Sequence, residues 1–263
     1  MGVTLATTWN PRGEMGRFEN LLPQLEAVYD HIVISFPPVS DLQVVGEFQT
    51  GRFAGRNNLV IAVNQEWSWG RYIALQKALT TPAAYIQYAD MDRLLRWVET
   101  RPEEWRQTVS VIQQCDCLVI GRTQAAYATH PQALRQTEAI SNRVISHLLG
   151  QPMDVSAGSK GFSRGAAQFL IDKTSPGHAL GTDAEWPLLL KRAGFRVDYH
   201  VVDGLDWESA DRFQEQAADE QAQQTAAAAY DANPNHWAWR VAVAMEIVET
   251  GLETVEREIG EAS

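Results

Sequence analysis

Short apolar runs and helix-patterned stretches take turns through the first half of the chain, and this alternation constrains the fold more than any other feature. "VTLATTW" (3–9), "HIVISF" (31–36), "LVIAV" (59–63), "AYIQYA" (84–89) and "DCLVIG" (116–121) are short, apolar and strand-like. Between them, "RFENLLPQLEAVY", "GRYIALQKALTTP" and "RPEEWRQTVSVIQQ" place apolar residues at three- and four-residue intervals, the spacing of an amphipathic helix. Pro82 stops the second helix, and Pro102 followed by acids suits the first turn of the third. Residues 37–58 read as loop, with Gly51 and Gly55 beside Arg52 and Arg56. Strands alternating with helices predict an α/β fold: a mainly parallel central sheet with flanking helices.

The second half is less regular. "QALRQTEAISNRVISHLLG" should be a helix ended by Gly150. "GSKGFSRGAAQFLI" joins a Gly-rich turn to a helix, and "EWPLLLKRAG" is a helix leading to the strand "RVDYHVV". Residues 211–230, rich in Ala, Gln and acids, read as a solvated helix that "DANPNH" breaks. In the last helix, Trp237, Val241, Met245, Val248, Leu252, Val255 and Ile259 repeat at 4-4-3-4-3-4 spacing. That stripe should dock on the body or on a second subunit, making a homodimer.

The formal charge is 22 − 33 = −11 over 263 residues, with no long basic run, which disfavours nucleic acid as a partner. An anionic substrate would need local cations or a metal to offset that field. Cys115 and Cys117 point the same way in a strand, a poor geometry for a disulfide, and lack the further ligands of a zinc site. They read as reduced core thiols in a reducing compartment. "MGVTLATTWN" has neither a basic n-region nor a long apolar run, so no signal peptide is expected. No apolar stretch nears the roughly 20 residues of a membrane span. The expectation is a cytoplasmic protein.

In an open α/β sheet, ligands bind beyond the carboxyl ends of the strands. "AYIQYA" ends there in Asp90 and Asp92, one residue apart. Two carboxylates so placed can hold Mg²⁺ or Mn²⁺ while diphosphate oxygens complete the shell. Alternatively, one caps the following helix and the other lies on the surface.

From these residues onward the chain resembles a family. "YIQYADMDRLLRW" resembles the Asp-x-Asp strand of GT-A glycosyltransferases, which use nucleotide-diphospho-sugars. "LATTWN", "GRYIALQKAL", "IGRT", "GSKGFSRGAAQFLI" and "GTDAEWPLLLKRAGFRVDYHVV" resemble, in order, other pieces of the family 2-like enzymes. The likeness covers about residues 3–205, implying a GT-A-like catalytic domain at 1–205 and a helical C-terminal extension at 206–263. One departure stands out: the second strand ends "SFPP", where many relatives carry an Asp that contacts the base.

The resemblance implies Asp90 and Asp92 as metal ligands, Asp90 also lying near the ribose. Thr8, Trp9 and Asn10 would border the nucleotide, though Trp9 reads equally as core. Arg71 would face base or diphosphate, or else lie on the surface at a helix start. Arg12, Arg52 and Arg56 are looser diphosphate candidates. Asp183, supported by Glu185, would take the acceptor's proton in an inverting transfer, but the two also read as a helix cap and a first-turn acid. Gly158, Ser159 and Lys160 would meet the acceptor; Lys160 reads as well as a solvated turn residue. His200 and His236 are options for a further metal ligand, a role some transferases of this fold give to a C-terminal histidine.

The activity implied is metal-dependent transfer of a sugar from a nucleotide-diphospho-sugar to a hydroxyl of a small or lipid-linked acceptor. Three rivals stand beside it. A HAD-type phosphatase would use Asp90 as nucleophile. A nucleotidyltransferase would use "NPRGEMGR" as its phosphate loop. A catalytically inactive member of the fold would only bind a sugar or a partner.

Overall fold

The computed structural model describes residues 2–258. Among these residues seven strands form one sheet: β1 (Val3–Thr8), β2 (His31–Phe36), β3 (Leu59–Val63), β4 (Tyr85–Ala89), β5 (Cys117–Arg122), β6 (Ser159–Ser163) and β7 (Val197–Val202). Their order across the sheet is β3-β2-β1-β4-β6-β5-β7. β6 runs antiparallel to β4 and β5, and every other pairing is parallel. The mainly parallel α/β reading is therefore what the chain adopts.

Side chains alternate between two layers, as the two-residue period of a strand requires. In β1, Leu5 faces one apolar cluster and Ala6 the other; in β5, Leu118 and Ile120 face the first, and Cys117 and Val119 the second. Helices α1 (Met15–Glu26), α2 (Leu42–Gln49), α4 (Met91–Thr100) and α5 (Pro102–Ile112) cover the first face. The second is covered by α3 (Gly70–Ala78), α7 (Gln132–Leu149), α8 (Arg164–Lys173), α9 (Thr182–Arg192) and α11 (Pro234–Glu256). The short α6 (Gln124–Ala128) follows β5, and α10 (Glu220–Asp231) precedes α11. Both cysteines are free and buried, and burial pushes the Cys115 thiol up to about 11, which makes it a poor nucleophile.

Three expectations need correction. Residues 42–49 form α2, capped by Asp41 and anchored by Val45 and Phe48, within a stretch expected to be loop. "SKGFS" is strand β6, not part of a turn. It must be glycine at 161, since a Cβ there would lie 2.4 Å from Ile112 on α5. The stripe expected to dock α11 on the body or on a second subunit is only partly turned to the body: Val241, Met245 and Leu252 are exposed, Trp237, Val248 and Val255 are half-buried, and Val243, Ala244, Ile247, Thr250, Gly251 and Thr254 are the buried set. Ile259 lies outside the described residues. Gly251 allows this packing, because a Cβ there would come within 2.4 Å of Ile145 on α7.

The stretch just past residue 205, where a C-terminal extension is expected to begin, is tied to α4 and α1. Arg96 on α4 forks onto Asp206 at 2.8 Å and reaches Asp211 at 2.7 Å, and Asp211 also meets Arg17 on α1 at 3.1 Å. Among the described residues no helix is long and apolar enough to cross a membrane.

Candidate active site

β4 ends at Ala89, Asp90 keeps an extended backbone, and α4 begins at Met91. Asp90 makes no capping bond to that helix; its side chain turns into a cleft of about 200 Å³. There Oδ1 accepts from the Tyr88 hydroxyl at 2.6 Å and from Thr8 Oγ1 at 3.4 Å. Oδ2 faces Arg71 Nη2 at 3.3 Å. Gly158, at φ +69°, lies so near that a Cβ would stand 2.6 Å from Asp90 Oδ2.

Asp92, in the first turn of α4, is held more loosely. Its Oδ1 accepts from the Arg93 amide at 3.0 Å, and its Oδ2 meets Arg12 Nη2 at 3.2 Å. Burial, then Glu208 and Asp90, push its carboxyl up to about 6 against the pull of Arg12 and Arg93. A cation is what such a gathering of carboxylates favours.

Glu208 is the residue that sequence reasoning missed. It lines the cleft from the far side, is buried, and its Oε2 makes no hydrogen bond. Burial alone would raise the carboxyl, but Arg93, 3.6 Å from that oxygen, together with a backbone hydrogen bond and the charges of Arg212 and Arg240 holds it below its ordinary range.

Beside β2 and β3 the cleft is lined by Ser35, Pro37, Asn64, Trp67 and Ser68, none of them charged. Asn64 is buried and accepts from Ser35 Oγ at 2.9 Å. Trp67 is half exposed and meets Trp239 of α11 edge-on, ring centres 6.5 Å apart. Beside β4 the lining turns ionic: Arg12, Arg71, Asp90, Asp92, Arg93 and Glu208. A lip formed by Ala179 and Leu180 closes one side; Glu246 of α11 holds it by accepting from the Leu180 and Gly181 amides at 2.8 and 2.9 Å.

Thr8, Trp9, Asn10, Arg71, Asp90 and Asp92 all line this cleft. Trp9 does so from the core: it is 3 % exposed and packs among Phe18, Phe36 and Phe48, so its ring face is not free to stack on a base. Arg71 is no surface residue. It is buried and tied to Asp90, to Asp183 at 2.8 Å and to Thr182 at 3.3 Å.

Asp183 and Lys160 occupy other places than expected. Asp183 is 2 % exposed and Lys160 1 %, neither lines the cleft, and they pair at 2.5 Å. Burial alone would raise the Asp183 carboxyl, but Arg71 and Lys160 outweigh it and hold the group below its ordinary range. A carboxylate so satisfied is a weak proton acceptor. Glu185 is buried against Arg257 at 3.1 Å. Ser159 is buried with its hydroxyl unpartnered, and Gly158 brings backbone against Asp90. Arg52 pairs with Glu19 and Glu47, and Arg56 with Glu26, all away from the cleft. His200 and His236 do not line it either; His236 stacks on Tyr230.

The chemistry of the donor set fits a hard divalent ion: Asp90, Asp92 and Glu208 all line the cleft, and Glu208 Oε2 makes no hydrogen bond. Among the described residues no three acidic, histidine or cysteine side chains are gathered to cage an ion by themselves. An ion here would take further oxygens from a ligand, as a diphosphate supplies.

No protein-family model matches the chain, and no curated protein matches it. Solved structures do. Glucosyl-3-phosphoglycerate synthase from Mycobacterium tuberculosis, in complex with Mn²⁺, UDP-glucose and phosphoglyceric acid, matches with a TM-score of 0.56 at 11% identity, over 98% of this chain and 81% of that one. A second structure of the synthase gives 0.57 at 11%, over 98% and 82%. A third, with Mn²⁺, UDP and phosphoglyceric acid, gives 0.55 at 11%, over 96% and 78%.

The chain has the GT-A fold.

In that GT-A fold Asp90 and Asp92 follow β4, a central strand reached after three others. This sets the protein apart from a HAD-type phosphatase, whose acidic pair usually lies near the start of the domain. The likeness spans 98% of the chain, so it extends past residue 205.

Proposed function

We propose that this protein is a metal-dependent glycosyltransferase that moves a sugar from a nucleotide-diphospho-sugar to a hydroxyl of a small acceptor. One observation carries the reading: Asp90 and Asp92 face an ionic half-cleft at the end of a central strand, continuous with an uncharged half-cleft beside β2 and β3. A nucleoside diphosphate has that same division between base and phosphates. The half-exposed Trp67 ring offers a stacking face for a base.

Asp92 and Asp90, with Glu208 behind them, are the residues that would hold Mn²⁺ or Mg²⁺. The chemistry supplied there would be Lewis-acid stabilisation of the departing diphosphate. Arg71, fixed by Asp183 and Asp90, positions Asp90, and its fixed fork suits that task better than a lysine would. Lys160 completes the support by neutralising Asp183. Gly158, having no Cβ, lets the Asp90 carboxylate lie against the backbone. With Asp183 engaged by two cations, we assign the acceptor's proton to the departing diphosphate, on the face that group leaves. Such a transfer retains the anomeric configuration, which proton NMR of the product reads directly.

The synthase that shares the fold was crystallised with Mn²⁺, a UDP-sugar and a phosphoglyceric acid, which supports a nucleotide-sugar donor and a soluble acceptor here. A cytoplasmic location agrees with free, buried cysteines. We also assign the outward stripe of α11 to a second copy of the chain. Met245→Glu with Leu252→Glu should then halve the mass seen by light scattering, and an unchanged mass would remove the dimer from the reading.

The deciding test is binding. Nucleoside diphospho-sugars are screened by thermal shift with and without Mn²⁺. A ligand at about 100 times its Kd adds about 2.7 kcal/mol of stability. Asp92→Asn should remove the Mn²⁺-dependent part. No shift with any donor, or a shift that Asp92→Asn leaves intact, would be evidence against the site. Pyrophosphate release from a nucleoside triphosphate and a sugar phosphate would instead identify a nucleotidyltransferase.

A further inference from the structure

We propose that Arg12 is the exchangeable counter-ion of this site: it neutralises Asp92 while no divalent ion is bound, and turns to the diphosphate when one is. The proposal rests on the reading of the cleft just given.

Three arginines line the ionic half of the cleft, and their attachments differ. Arg71 is tied to Asp90, Asp183 and Thr182. Arg93 donates to the Ala157 carbonyl at 2.5 Å and lies within ion-pair reach of Asp90 and Glu208. Both side chains are about nine-tenths buried or more, and moving either would strand charges in the interior. Arg12 is different. Its side chain is 36 % exposed, and among the described residues Asp92 is the one carboxylate within ion-pair distance of it. Its Nε has no partner at all.

The backbone beneath it is fixed. The Arg12 amide donates to the Glu14 carboxylate, and its carbonyl accepts from the Phe213 amide at 2.8 Å. Gly13 sits at φ +90°, so close to Phe213 that a Cβ would lie 2.7 Å from the Phe213 Cα. Any movement of Arg12 is therefore a swing of the side chain about a pinned loop, made without refolding the loop.

Charge supplies the reason to swing. Asp92, Asp90 and Glu208 together need a cation, and Arg12 supplies it on the oxygen it touches. A divalent ion on that same carboxylate repels the guanidinium. A diphosphate entering beside the ion offers the guanidinium two or more oxygens in fork geometry. Arg212 adds to the push: burial and then Arg12 hold it below the ordinary arginine range, so the two cations already repel.

The test measures binding on the full chain, with Mn²⁺ alone and with UDP and GDP as probes, by calorimetry. Arg12→Gln should tighten Mn²⁺ binding about tenfold without nucleotide, and weaken diphosphate binding about tenfold at saturating Mn²⁺, magnitudes typical of coupling between sites. Arg12→Lys should fall between wild type and Arg12→Gln on both measures. A residue that merely shaped the loop would not move the two affinities in opposite directions. Unchanged or weaker Mn²⁺ binding in Arg12→Gln overturns the exchange while leaving the cation site standing. A wild-type chain that binds no Mn²⁺, with or without nucleotide, overturns the cation site itself, and the exchange with it.

Discussion

Asp90 and Asp92 have the same side chain and unlike surroundings. Asp90 is fixed by Tyr88, Thr8 and Arg71, whereas Asp92 answers mainly to Arg12 and its own helix. Asp92→Asn should thus fold normally and fail in metal binding. Asp90→Asn should also lower stability, by about 1–3 kcal/mol in urea unfolding, because Arg71 and Tyr88 lose an ionised partner. The pair was legible in the sequence because strand periodicity places both acids at a carboxyl end. Glu208 was not legible, since a single glutamate in an irregular segment carries no pattern. Asp183 was misleading for a related reason: an acid ahead of a helix looks alike whether it faces a cleft or a buried cation, and its partners Arg71 and Lys160 come from remote segments.

His130 gives a pH test outside the cleft. It is buried, its Nδ1 faces the Ala126 carbonyl at 3.1 Å, and Nε2 has no partner. Burial, then Arg122 and Arg93, hold it well below the ordinary 6.5. Below pH 6.5 the unfolded chain takes up a proton that the folded chain refuses. Stability from this group is therefore complete above 6.5 and falls as pH drops, by up to about 1.4 kcal/mol per unit. His130→Gln should remove that part of the slope between pH 6.5 and 4.5; identical slopes in denaturant titrations would contradict the assignment.

Among the secondary elements, β6 departs furthest from expectation. The glycines around it suggested a turn; Gly158, at φ +69°, does end one just before the strand, whereas Gly161 lies within β6 and admits α5. Glycine says only that something comes close, and the sequence does not say whether a backbone or a neighbouring side chain does. Gly161→Val should overpack the sheet against Ile112 and destabilise the chain by about 1–3 kcal/mol or more in urea unfolding. α2 escaped notice because eight residues flanked by Pro, Gly and Thr offer too little periodicity to set against turn signals. The first-half strands and helices were readable because each is long enough to repeat its pattern and is bounded by proline, glycine or charge.

At the scale of the whole molecule, the chain that follows Leu205 packs against the elements before it. The segment after residue 205 looked separate because it matches no motif and is rich in alanine and glutamine. In space Asp206 and Asp211 close around Arg96, Glu208 lines the cleft, and α11 lies on α7 and α9. Ile247→Ala, at a site 2 % exposed, should cost about 2–5 kcal/mol. A chain ended at residue 205 should lack a cooperative thermal transition by circular dichroism. A sharp transition in that fragment would restore the two-part division.

The contact between Trp67 and Trp239 joins the mouth of the cleft to a helix that bears no reacting group. Sequence drift on that helix is therefore not silent. On the proposed stacking of a base on Trp67, a smaller ring at position 239 should let Trp67 tilt and change the preference for one nucleobase over another while every charged group stays where it is.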